Sequence, residues 1–167
     1  MKGQPIEYKE FVLHPEYWEG TLYDLQKASR NDDKYHVAAN KFKLMNRVYV
    51  CHDGCVVYER PKFRLHPSEE NSGLLRGNFL PTSISINGKQ VLILICYEIM
   101  FPDDYLLQNM GKTDLVLHLV GQPMFNEDQR EGWVAMQRAV FLTYFCPIVC
   151  CCGGEEGRMN ISGLTTI

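Results

Sequence analysis

Val91-Leu92-Ile93-Leu94-Ile95-Cys96-Tyr97-Glu98-Ile99-Met100-Phe101-Pro102 runs from an unbroken aliphatic segment into a cysteine, a short break and a proline. An aliphatic run of this length, with no polar alternation, reads as a strand buried on both faces, as in sheets covered by helices. Pro102-Asp103-Asp104 then opens a helix that closes near Gly111. Open α/β sheets carry their chemistry at the carboxyl ends of strands. The sequence therefore predicts one thiol, Cys96, presented where a buried strand turns toward a helix.

The segments around this run give the architecture. Upstream, Ser83 and Ser85 alternate with Ile84 and Ile86, and Asn87-Gly88 joins them to the apolar run, which predicts a hairpin. A second hairpin is expected over Arg47 to Tyr58, about Asp53-Gly54. Glu10 to His14 and Tyr35 to Lys41 read as strands, and Thr21 to Asp33 as a helix with Thr21 as N-cap. Arg60 to Gly77 reads as a polar loop. Downstream, Leu115 to Val120 and Ile148 to Cys152 are apolar strands. Glu127 to Phe145 is a helix with Trp133, Met136, Val140 and Tyr144 on one stripe. Asn160 to Ile167 reads as a last strand. Hairpins mixed with strand–helix–strand units predict an α/β layered fold, and no linker divides the chain, so one domain over 1–167 is expected.

Composition narrows the function classes. The chain has 167 residues, 46% hydrophobic and 22% charged, as in globular proteins. A net charge of −3 and a pI near 5.9 give no electrostatic footprint for nucleic acid. The start of the chain is polar and mixed in charge, unlike a secretory signal. The longest nearly apolar stretch, Ala139 to Cys152, contains Pro147 and is too short to span a bilayer, so no membrane partner is expected. The seven cysteines include an adjacent triplet, Cys150 to Cys152, which argues against a disulfide framework and for a reducing, cytoplasmic setting. Neighbouring residues on a strand point to opposite faces, so the triplet is a poor zinc site. Cys51 and Cys55 flank a turn without a second ligand pair, and the five histidines show no ligand spacing. His14 and His118 read as core or pocket-edge residues. No metal or organic cofactor is expected.

A thiol attacks a carbonyl carbon as thiolate or beside a base, and the oxygen that becomes charged needs a fixed donor. Glu16 closes Phe11-Val12-Leu13-His14-Pro15-Glu16, and Lys62 lies in Lys62-Phe63-Arg64-Leu65-His66-Pro67-Ser68-Glu69-Glu70. The plainer readings are an inert buried thiol at Cys96, a solvated acid at Glu16 and one loop cation among several at Lys62. The order of the three segments favours the catalytic readings.

Those segments resemble the nitrilase (carbon–nitrogen hydrolase) superfamily. The apolar-Pro-Glu strand end matches at Glu16, Lys-x-x-Leu-x-Pro-x-x-Glu at Lys62 to Glu70, and Ile-Cys-Tyr-Glu-x-x-Phe-Pro at Ile95 to Pro102. Trp133 and Arg138-Ala139 resemble the family's helix after the nucleophile. Ser162-Gly163 and Thr165 fall near a late strand. The resemblance implies an αββα sandwich, here truncated at both ends and trimmed between Glu16 and Lys62. It implies a Glu-Lys-Cys triad: Glu16 as general base, Lys62 with the backbone N–H of Tyr97 as oxyanion stabiliser, and Cys96 as nucleophile. Glu70 would orient Lys62 or the substrate, although a one-residue shift exchanges it with Glu69. Glu98 is open to a site role, a helix-start role or a salt bridge. The implied reaction is hydrolysis of a small amide through a thioester. Nitrile cleavage is disfavoured because Tyr97, not Trp, follows the nucleophile. Family domains are longer, so the alternative is a shortened, inactive domain acting as a binding or assembly module. A homo-oligomer is expected to cover the apolar surface that truncation leaves.

Overall fold

Asp53-Gly54 and Asn87-Gly88 take φ values of 48°, 71°, 49° and 74°. Positive φ at both central residues is the pattern of the tight hairpin turn whose twist matches the flanking strands, and Asn-Gly or Asp-Gly supplies it at least strain. Each turn closes one of the two expected hairpins. The computed structural model describes residues 16–30, 34–42, 44–121, 127–152 and 165–166. The chain divides into two units, Met1–Phe79 and Leu80–Ile167.

The first unit holds α1 (Glu16–Ser29), then β1 (His36–Phe42), β2 (Met45–His52), β3 (Cys55–Pro61) and the short helix α2 (Pro67–Asn71). The strands form a three-stranded antiparallel sheet in the order β1-β2-β3, with a register shift at Val50/Cys51. Val48, Val50 and Cys51 are fully buried in it. The helix α1 packs on β1 and β2. Its last turn is tied to the β2–β3 turn: Ser29 Oγ accepts from Gly54 N at 2.9 Å, and Gln26 Nε2 donates to Gly54 O at 3.2 Å.

Two expectations for this unit need correction. The helix starts at Glu16, five residues before Thr21, and ends at Ser29. The polar loop over 60–77 contains α2, and its first two residues complete β3. The expected strand over 10–14 lies outside the described residues, as does His14.

The second unit holds β4 (Ile84–Ile86), β5 (Lys89–Ile95), 3-10 turns at Cys96–Met100 and Pro102–Asp104, α3 (Leu106–Asn109), β6 (Leu115–Val120), α4 (Glu127–Tyr144), β7 (Ile148–Cys152) and β8 (Thr165–Thr166). Its sheet has the order β4-β5-β6-β7-β8. The central strands β5, β6 and β7 run parallel, and the outer pairs are antiparallel. Val91 through Ile95 are all buried, as the unbroken aliphatic run requires.

One core gathers Leu92, Leu94, Val116 and Ile148 from the strands with Ile99, Tyr105, Trp133 and Val140, and Met136 and Tyr144 pack against it. Each fully buried aliphatic side chain of this kind contributes about 1.5–3 kcal/mol. Two tyrosines satisfy their hydroxyls inside it: Tyr105 donates to Ile99 O at 2.8 Å and Tyr144 to Tyr105 O at 2.9 Å. Burial pushes both phenols well above their ordinary range. The expected helix over 102–110 is interrupted: a 3-10 turn precedes α3, because Tyr105 breaks the helical path at φ −134°. Of the expected last strand over 160–167, Thr165–Thr166 pairs with β7, and 160–164, with Ser162-Gly163, lie outside the described residues.

Candidate active site

Cys96 stands at the carboxyl end of β5, beside the parallel strand β6, where β5 gives way to a 3-10 turn. Its φ is +48°. A left-handed backbone costs a residue with a Cβ about 1–2 kcal/mol. Strain of this kind persists where surrounding bonds over-determine it, and such places concentrate at functional sites.

Two side chains hold the turn. Glu98 is buried, and its Oε2 accepts from Ile95 N at 2.8 Å. His118, fully buried on β6, lies with Nε2 3.0 Å from Cys96 O. A carbonyl oxygen only accepts, so Nε2 carries the proton and donates. The thiol itself is half-buried against the core. Tyr97 follows it, its ring edge-on to Phe101 at 5.1 Å. Glu98 thus takes the helix-start role that the sequence left open. His118 is a satisfied core histidine, as expected.

Lys62 belongs to the first unit and directly follows β3. Its backbone is fixed by Lys62 N donating to Asn46 O at 2.7 Å and Gly77 N donating to Lys62 O at 2.8 Å. The close approach of Gly77 requires glycine, since a Cβ there would meet Pro61 O at 2.8 Å and Lys62 O at 3.0 Å. The Lys62 side chain is buried, and its Nζ meets Glu69 Oε2 at 2.5 Å. An ammonium has three N–H donors; this bond uses one and fixes the long stem.

The carboxylate beside Lys62 is Glu69. Glu70, expected there, is exposed. The cause is local helix geometry. His66 is the N-cap of α2, with Pro67 next and Glu69 at the third helical position. That position turns a carboxylate back over the cap, and Glu69 Oε2 accepts from His66 N at 2.7 Å. Its Oε1 accepts from Asn46 Nδ2 at 2.8 Å. Burial alone would raise the Glu69 carboxyl, but the Lys62 ammonium and these hydrogen bonds outweigh it and hold the carboxyl below its ordinary value. The box His66-x-x-Glu69 was a sequence signal for this assignment, with Pro67 marking the first helical residue.

Glu16 begins α1, at a helix start where a strand end was expected, and its side chain lies outside the described residues. Gln137, on the buried face of α4, was missed by the sequence reading. Its Nε2 lies 3.1 Å from His118 Nδ1. No group of three metal-ligating side chains occurs among the described residues, and among them no helix is long and apolar enough to cross a membrane.

No family model matches the chain, and no curated protein sequence matches it. Solved structures do. A carbon-nitrogen hydrolase from Helicobacter pylori G27 superposes with a TM-score of 0.74 at 16% identity, over 96% of this chain and 63% of that one. A cysteine-to-alanine mutant of an amidase from Nesterenkonia AN1, of the nitrilase superfamily, gives 0.76 at 15% identity, over 95% and 63%. The same amidase has also been solved with the acetamide moiety of fluoroacetamide added covalently at its active-site cysteine. A CN-hydrolase superfamily protein from Xanthomonas campestris, with an arsenic adduct in its active site, gives 0.75 at 13% identity, over 97% and 64%. The chain spans just under two thirds of the length of these proteins. Its fold is the α/β fold of the nitrilase superfamily, carried on a shorter chain.

Proposed function

We propose that this chain is a thiol-dependent hydrolase of small amides. The observation that carries the reading is the strained turn at Cys96, which sets a thiol at the carboxyl edge of a parallel sheet in the fold of enzymes with an active-site cysteine. Glu16 takes the thiol proton as Sγ bonds to the amide carbon and the carbonyl electron pair moves onto oxygen. Lys62 and the Tyr97 N–H stabilise that oxyanion, and Glu69 holds the ammonium in place. Collapse breaks the C–N bond, and the proton on Glu16 leaves with ammonia. Glu16 then deprotonates water, which attacks the thioester and releases the acid and the thiol. Every step is proton and acyl transfer among these groups.

A homo-oligomer belongs to the same proposal. Leu142 and Phe145, one turn apart near the end of α4, are 62% and 83% exposed, which supports it.

The test is an ammonia-release screen over short aliphatic amides, carbamoyl compounds and acyl-amino acids. Turnover of at least one amide is the expected result. No release from any of them, together with alkylation of Cys96 no faster than of the other cysteines, would favour the assembly-module reading.

A further inference from the structure

A buried polar pair behind the nucleophile turn takes no direct part in the proton and acyl transfers. His118 lies on β6 and Gln137 on α4, both in the same unit as Cys96 and both buried. Trp133 covers the imidazole with ring centroids 5.3 Å apart, and Cys150 Sγ lies 4.0 Å from Nδ1. A buried polar group costs about 1–3 kcal/mol where it goes unsatisfied, so an apolar residue would pack here more safely. The pair instead forms a chain of hydrogen bonds and keeps it even though Gln137 Oε1 is buried without a partner among the described residues. Gln137 Nε2 donates to His118 Nδ1 at 3.1 Å, and His118 Nε2–H donates to Cys96 O at 3.0 Å. The amide selects the ring tautomer, and the tautomer supplies the donor.

The acceptor is the informative atom. Cys96 O and Tyr97 N belong to one planar peptide group. Fixing the direction of Cys96 C=O therefore fixes the direction of the Tyr97 N–H, which points the opposite way across the same plane. The bond also restrains the left-handed backbone at Cys96 that sets the thiol. We propose that His118 and Gln137 are positioning residues for the reaction. Through the Cys96 carbonyl they aim the Tyr97 N–H at the developing oxyanion. This proposal rests on reading Cys96 as the nucleophile.

The experiment compares His118→Leu, His118→Gln and Gln137→Leu with the wild type. Readouts are steady-state kinetics on the best amide of the screen, thermal melting, and the iodoacetamide alkylation rate of the Cys96 peptide. Gln at 118 places an amide N–H near the Nε2 position, whereas Leu places none. His118→Leu is expected to lower kcat about ten- to a hundredfold, less than the roughly hundred- to thousandfold cost of deleting an oxyanion donor outright, with KM little changed. His118→Gln should recover most of that loss, and Gln137→Leu should lower kcat several-fold. A role in packing alone predicts that kcat follows the melting temperature in all variants.

The proposal is overturned if His118→Leu or Gln137→Leu keeps wild-type kcat. It is also overturned if His118→Gln is as slow as His118→Leu when both melt as the wild type does. Should His118→Leu fail to fold, Gln137→Leu decides alone. If the wild type turns over no amide, the hydrolase reading fails by itself. The alkylation series still tests the positioning: slower modification of Cys96 in His118→Leu than in His118→Gln sustains it, and equal rates overturn it.

Discussion

Replacing Cys96 with alanine should abolish amide turnover, by roughly a thousandfold or more, while the protein stays folded. The substitution keeps a Cβ, so the backbone strain at φ +48° is unchanged and only the sulfur is lost. Cys96→Gly separates the strain from the chemistry. Glycine takes a left-handed conformation without the Cβ penalty. Cys96→Gly should therefore be at least as stable as Cys96→Ala by urea denaturation, and equally inactive. That pattern would mean the chain bears a cost in stability at the residue that performs the reaction, as functional sites often do. A Cys96→Ala protein that still releases ammonia would remove the nucleophile from the scheme.

The second large effect lies at the Lys62–Glu69 pair. Both side chains are buried, and removing one partner of a buried pair leaves an uncompensated charge, which costs about 3–5 kcal/mol. Glu69→Ala should show that loss in the urea midpoint and a large loss of turnover. Glu70→Ala, at an exposed position, should stay within about 0.5 kcal/mol of the wild type and keep its activity. Equal effects at 69 and 70 would contradict the assignment.

The pair also fixes a pH dependence. Glu69 has a lower pKa folded than unfolded, so the unfolded chain binds more protons between the two values and stability rises with pH there. The contribution is complete above the ordinary carboxyl value of 4.5 and is lost as pH falls through the depressed folded value. In Glu69→Ala this part of the acid destabilisation should be absent.

The reading of the sequence succeeded where one local rule met no competitor. Asp53-Gly54 and Asn87-Gly88 have few alternatives to a tight hairpin turn, and Val91 to Ile95 cannot be exposed on either face. Leu115 to Val120 and Ile148 to Cys152 formed strands with the expected ends. It failed where tertiary contacts compete with a local signal. Thr21 is a good N-cap by type, yet the helix runs through it, because packing on β1 and β2 outweighs the cost of Gly20 within the helix.

At the site, motif spacing pointed to Glu70, but capping geometry selected its neighbour. Gln137 was passed over because a polar residue in a helix is ordinarily read as exposed. Its spacing, four after Trp133 and three before Val140, placed it on the buried stripe all along.

The proposed reaction requires Cys96 to carry an acyl group during turnover. The direct measurement is an acid quench of the wild type in the steady state with its best amide, followed by digestion and mass analysis. The proposed reaction places the acyl mass on the peptide containing Cys96, sensitive to hydroxylamine and absent in Cys96→Ala. An active enzyme with no acyl mass on that peptide under any substrate load, or with the mass on another cysteine, would contradict it.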